Sequence, residues 1–218
     1  ILRVRGLNYP IVDAALADLG RRKQATRPWR VGVLEGPKDS LVASTVRREF
    51  EDVQRRLEVA GCDLRPLRLP ALFDSAHNVH ETLYRRSLCY YFRMEWESGK
   101  HEFSPGLAEM IAGGTRISMT EYEAALRAQA EIARTYDALL TDVDVVICPS
   151  TADEAPVGLD APDIPDHCLI FTMCYAPSLS VPMLRGSIGL PVGLQVAARR
   201  FNDYDLLDFA GLLCRAAA

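Results

Sequence analysis

The chain has 218 residues, 49% of them hydrophobic and 25% charged, which suits a globular protein with one sizeable core. Its net charge of −4 argues against a nucleic-acid binder held by a broad positive field. No apolar run approaches the roughly 20 residues of a membrane span and no signal-peptide pattern opens the chain, so neither membrane nor nucleic acid is expected as a partner.

Residues 1–28 read as a lead-in: a turn at Asn8-Tyr9-Pro10, helix-like spacing over 11–19, then a polar linker at Arg21-Arg22-Lys23-Gln24. From residue 29 the chain reads as one domain, 29–218. Residues 29–34 form a short buried strand ended by Glu35-Gly36-Pro37. Asp39 or Ser40 is expected to cap a helix carrying Val42, Val46, Phe50, Val53 and Leu57 on one face and ending at Gly61. Residues 62–69 return as an extended edge segment, marked by Pro66. This β-α-β unit lacks G-x-G-x-x-G, so nucleotide binding is not expected.

A helical pattern covers 71–94. Its His77, His80 and Glu81 read as a polar helix face, because they lack the order and spacing of H-E-x-x-H. Ser104-Pro105 opens a short helix that Gly113-Gly114 is expected to stop. Ser118 or Thr120 opens a long helix, with Thr120-x-x-Glu123 fitting a capping box. Residues 143–148 read as a buried strand ending at Pro149, and 151–167 as a long loop over its end. Residues 178–183 and 190–198 read as two strands joined by a turn at 185–189. A last helix, capped by Asn202-Asp203, has Leu206, Leu207, Ala210, Gly211 and Cys214 as its apolar positions. Strands stopped abruptly by Pro or Gly are a common way to gather polar loop atoms at a cleft.

The six cysteines form no C-x-x-C pair, so no metal ribbon is expected. Leu88-Cys89, Ile147-Cys148, Cys168-Leu169 and Leu213-Cys214 suit reduced, buried thiols in a reducing cytosol, and a cytoplasmic location is expected. Cys148, at a strand end with His167 in the same region, reads as a core residue rather than a nucleophile. Ser178 and Ser180 read as ordinary strand packing.

Several segments in order carry a resemblance. They are Trp29-Arg30-Val31-Gly32-Val33, Ile117-Ser118-Met119-Thr120-Glu121-Tyr122, Tyr136-Asp137-Ala138-Leu139-Leu140, Val146-Ile147-Cys148-Pro149-Ser150, Glu154-Ala155-Pro156, Gly189-Leu190-Pro191-Val192-Gly193-Leu194-Gln195 and Asp205-Leu206-Leu207. Together they resemble the C-terminal half of amidase signature enzymes, a group with fatty-acid amide hydrolases, bacterial amidases and the amidase component of tRNA-dependent amidotransferases. The resemblance implies an α/β fold, a mixed β-sheet flanked by helices, and hydrolysis of amides by a Ser–cis-Ser–Lys triad without a cofactor. In that triad a lysine base activates a serine that is otherwise a weak nucleophile. The triad belongs to a Gly- and Ser-rich signature and an upstream lysine, and this chain has no G-S-S run and only Lys23, Lys38 and Lys100. No catalytic residue therefore carries over. Two positions depart from the family: Tyr175 stands where glycine is usual in a G-x-P element, and Thr172 lies where Asn is frequent.

The expected role is the substrate-facing wall of an amide-hydrolysing enzyme acting on an amide-bearing small molecule. The triad would lie on a missing N-terminal half or a partner polypeptide. The opening at Ile1 without methionine is in keeping with a processed or partial chain. Cys148, Ser150, Thr151, His167, Phe171, Thr172 and Tyr175, in loops that follow strand ends, are the expected substrate-binding residues, with no metal or cofactor. The alternative is a non-catalytic interaction or scaffold protein derived from an amidase.

Overall fold

The computed structural model describes residues 28–37, 39–158 and 166–216. The helix expected at 11–19, the linker at 21–24 and part of the loop at 151–167 lie outside them, as do Lys23 and Lys38. The described residues form a five-stranded mixed sheet between two layers of helices. Strand β1 (Arg30–Glu35) is followed by helix α1 (Ser44–Val59) and strand β2 (Asp63–Arg68), which pairs parallel with β1 at the sheet edge, as Pro66 requires. Helices α2 (Ala76–Tyr91), α3 (Arg93–Gly99), α4 (Pro105–Thr115) and α5 (Met119–Leu139) come next, then β3 (Val145–Pro149). Helix α6 (Cys168–Met173), the hairpin β4 (Ser178–Arg185) and β5 (Pro191–Ala198), and helix α7 (Asp203–Ala216) complete the chain. The strand order is β2-β1-β3-β5-β4; β3 is parallel to β1 and antiparallel to β5.

Every residue of β3 is buried, which is why Val145-Val146-Ile147-Cys148 reads as an unbroken apolar run rather than an alternating one. Its alternate side chains feed two cores. Val145 and Ile147 join Val31, Leu194 and Val196 beneath Val46, Phe50, Val53 and Leu57 of α1 and Leu206, Phe209 and Leu213 of α7. Val146 and Cys148 join Leu34 and Ala197 beneath Ile132, Ala133 and Tyr136 of α5 and Ile170, Phe171 and Met173 of α6. The α7 stripe is Leu206, Phe209 and Leu213, whereas the expected Leu207 is 58% exposed and Cys214 is exposed. The aromatic edge contact of Phe209 with Trp29, centroids 5.4 Å apart, selects that stripe. Of the four cysteines expected to be buried by their neighbours, only Cys148 is; Cys89 and Cys168 are half-buried.

Three local expectations change. Asp39 caps no helix: it lies in a short 3-10 turn, Asp39–Leu41, and α1 starts after Ala43 without a side-chain cap. The long helix is capped by Ser118, whose hydroxyl and backbone exchange hydrogen bonds with Glu121, so the box sits at Ser118 rather than Thr120. The hydrogen bonds from Ser118 hold the Glu121 carboxyl below its ordinary range. Gly113 and Gly114 do not stop α4, which runs on to Thr115. They serve as a crossing point: a Cβ on Gly114 would lie 2.1 Å from the backbone oxygen of Arg85 on α2. On the polar face of α2, Glu81 pairs with Arg85 at 2.8 Å and His80 stacks on Tyr84.

Candidate active-site wall

The parallel strands β1 and β3 end on the same side of the sheet, and their exit loops carry most of the buried polar side chains. Ser150, Glu154, His167 and Gln195 are each 7% exposed or less. Ser150 leaves β3 with its N–H donating to Gly193 O at 2.8 Å, and its carbonyl accepts from His167 N at 3.0 Å. The chain is thereby brought back over the strand end, where Thr151 bridges Asp166. Asp166 Oδ1 accepts from the N–H groups of Cys168 and Leu169 at 2.8 and 3.2 Å, satisfying orphan donors in the first turn of α6.

His167 faces the exit of β1. Its Nε2 lies 3.0 Å from Asp39 Oδ1, a contact across 128 residues, and this is what Asp39 does instead of capping a helix. With the proton on Nε2 donated to Asp39, Nδ1 is a buried lone pair without a hydrogen-bond partner. Beside it, the Cys168 thiol donates to Gln195 Oε1 at 3.3 Å. Gly193 separates the hydroxyls of Ser150 and Ser180: a Cβ there would stand 2.4 Å from one Oγ and 1.9 Å from the other. Only glycine lets β5 pass between them. Ser178 and Ser180 are not packed as expected but exposed with Pro182, on one face of β4.

Glu154 anchors the far rim. Its carboxylate accepts from Ile188 N at 2.6 Å, Leu190 N at 2.7 Å and Ser187 Oγ at 3.1 Å, holding the β4–β5 turn against the loop after β3. Burial acts to raise its pKa, but the amides of Ile188 and Leu190 and the Ser187 hydroxyl outweigh it and hold the carboxyl below the usual range.

The expected wall residues separate into two groups. Cys148 and Phe171 are 0% and 1% exposed and belong to the core, where neither side chain can reach a ligand. Strand alternation turns Cys148 inward, and an edge contact with Tyr136 at 6.1 Å holds Phe171. Burial pushes the Cys148 thiol well up, with Cys168 and Asp39 adding to the shift, so it stays protonated and a poor nucleophile. Ser150, Thr151 and His167 line the strand end, while Thr172 and Tyr175 stand exposed on and after α6. Asp39, Glu154, Cys168 and Gln195 were missed. Glu154 and Gln195 lie in family-like segments and Asp39 reads as a cap, but the contacts that bring each of the four to the wall join partners distant in sequence.

Tyr175 occupies a position built for glycine. The N–H of Tyr175 reaches Thr172 O at 3.2 Å and that of Ala176 reaches Phe171 O at 3.0 Å, a paired closure of α6 that puts Tyr175 in the left-handed region at φ 54°. A side chain there costs about 1 kcal/mol or more. The ring is 63% exposed, so little packing compensates. Tyr175→Gly is therefore expected to raise stability by about 1 kcal/mol, or roughly 2–4 °C in Tm by thermal melting; a fall would show that the ring has a buried role.

The amidase family model matches residues 9–207, the greater part of the chain. The chain belongs to the amidase family. It is 26% identical over 174 residues to a fatty acid amide hydrolase of Oryza sativa subsp. japonica, covering 70% of this chain and 27% of that relative. An acylamidase of Rhodococcus erythropolis is 27% identical over 126 residues, covering 52% of this chain and 26% of that relative. The crystal structure of an amidase superposes with a TM-score of 0.75 at 20% identity, covering 94% of this chain and 50% of that one. A bacterial aryl acylamidase of the amidase signature enzymes superposes at 0.72 with 14% identity, covering 96% and 46%. The fold is thus the mixed α/β fold of amidase signature enzymes. The match spans about a quarter of these curated relatives and about half of the solved chains.

Proposed function

We propose that this chain forms the substrate-pocket wall of an amide-hydrolysing enzyme whose nucleophile is supplied by further polypeptide. The observation that carries this reading is the polar floor of Ser150, His167 and Gln195 at the ends of β1 and β3, beside a β4 face left exposed at Ser178, Ser180 and Pro182. A ligand amide brought onto that floor would meet hydroxyl, imidazole and carboxamide groups that can accept or donate hydrogen bonds, with Thr151 at its rim and Thr172 and Tyr175 further off, along and beyond α6 toward the start of β4.

The floor orients and does not attack. A serine needs a positioned base, and the free nitrogen of His167, Nδ1, has no hydrogen-bond partner, so no serine hydroxyl stands in reach of it. Lys100, the family's type of base, is exposed and lies over the Trp96 ring at 4.7 Å. Location inside the cell, the amide itself and the source of the triad are part of the proposal: a cytoplasmic enzyme, a small amide, and an N-terminal half or partner polypeptide.

A fluorophosphonate probe tests the division of labour. The chain alone is expected to remain unlabelled and to leave a panel of aryl and alkyl amides intact. Labelling at Ser150 or Ser180, located by mass spectrometry and accompanied by turnover, would overturn it.

A further inference from the structure

Away from that wall, a cavity of about 560 Å³ opens between the C-terminal part of α2, the start of α3 and the start of α5. Its walls include Tyr90, Tyr91, Tyr122 and Met119, together with Arg86 and Arg93. The volume falls within the roughly 300–1,000 Å³ of small-molecule sites. Tyr90, Tyr91 and Met119 are more than half exposed, an unusual amount of large apolar surface to leave in one place.

The charge in this cavity has one sign. Among the described residues no carboxylate lines it, and neither arginine makes an ion pair with a described carboxylate. Arg86 gives Nη1 to Gly114 O at 3.4 Å and Nη2 to the sulfur of Met119 at 3.6 Å, a weak acceptor. Arg93 gives Nη1 to Tyr90 O at 2.7 Å, and its guanidinium lies 4.6 Å from the centre of the Tyr90 ring. Each guanidinium carries five N–H donors, so most are unspent. Two positive groups therefore border a half-open aromatic cleft on a chain whose net charge is −4.

We propose that this cleft binds a small aromatic carboxylate, its flat body against the tyrosine rings and its carboxylate on the arginines. Guanidinium–carboxylate bonds are charge-assisted and can be bidentate, and an aromatic body stacks on tyrosine without needing polar partners. The same contacts disfavour an amine, which would meet two like charges.

Titration of the chain with 2-naphthoate, 2-naphthalenemethanol and 2-naphthylamine, read by calorimetry and by NMR shifts, tests this. Naphthoate is expected to bind tighter than about 1 mM and at least tenfold more tightly than the alcohol or the amine, with shifts at Tyr90, Tyr91 and Tyr122. Arg93→Gln, at an exposed position, is expected to weaken naphthoate about tenfold and leave the alcohol unchanged, with the melting temperature as a check on the fold. Arg86→Gln is expected to act in the same direction. No binding of naphthoate, equal binding of the alcohol, or unchanged affinity in both variants would overturn the proposal, as would shifts confined to another surface.

Discussion

Gly114→Ala is expected to lower stability by about 3 kcal/mol, at the upper end of ordinary overpacking, and Tm by roughly 6–12 °C. The added methyl would meet the Arg85 backbone oxygen at 2.1 Å and the Cys89 Cβ at 3.1 Å. A backbone atom of a neighbouring helix cannot swing aside as a side-chain end can, so α4 must part from α2. That crossing carries the helices above the Leu34–Val146 face of the sheet, and Arg86 donates to the Gly114 carbonyl in the same place. Gly106, on the same helix, is the control: nothing lies within 4 Å of a Cβ there. Gly106→Ala is expected to be neutral or mildly stabilising, since alanine favours a helix over glycine by up to about 1 kcal/mol. Thermal melts of the two variants, compared with the unaltered chain, should move in different directions. Equal small shifts would mean the helices do not cross this closely.

Glu154→Ala is expected to lower Tm by several degrees at neutral pH and to remove part of the chain's acid sensitivity. The substitution leaves the N–H groups of Ile188 and Leu190 and the Ser187 hydroxyl without their common acceptor, and the β4–β5 turn loses its anchor. Because the folded carboxyl sits below its ordinary value, its contribution is fully present above the unfolded-state pKa of about 4.3 and is lost as pH falls through the lower folded value. The stability gap between the unaltered chain and the variant should therefore be constant near neutrality and shrink below about pH 4.3. Glu154→Gln, which keeps the shape and one acceptor oxygen, should fall between them. A gap that persists unchanged into acid would show that Glu154 acts through packing alone.

Periodicity over a few turns carried much of the fold. The stripe Val46, Phe50, Val53 and Leu57 marks α1, and the unbroken apolar run of β3 marks a central strand, because a repeat of apolar residues depends on the element's own geometry. The misread features all have a partner far away in the chain. Gly113-Gly114 looks like a helix stop until Arg85 is placed against it, and Asp39 looks like a cap until His167 takes its carboxylate. Glu154 stood out as part of a family-like segment, but its clamp on residues 187–190 crosses a gap that no local pattern spans.

The candidate wall divides in the same way. Strand ends pointed to Ser150, Thr151 and His167, which do line the end of β3, but the same rule could not say which way Cys148 faces. Side-chain direction alternates along the strand, and helix α5 and α6 side chains on the inward face bury Cys148. Tyr175 was legible as a departure from the family, and the left-handed closure of α6 supplies the physical reason glycine is usual there. The strained ring stands away from the Ser150 end of β3: Tyr175 leads into β4, where Pro177 O accepts from Ala198 N and Ser178 pairs with Ala197, the partner of Val146 at the start of β3.

The most direct test of the proposed role is complementation. A triad-bearing N-terminal half of an amidase-family enzyme is assayed against a panel of amides alone, with this chain, and with its Ser180→Ala variant, altered on the exposed β4 face beside Ser150. The account predicts hydrolysis only when both polypeptides are present, with relative kcat/KM across the panel changing when Ser180 becomes alanine. Hydrolysis of the same amides at the same rates with or without this chain, or none in either case despite a stable complex, would contradict it.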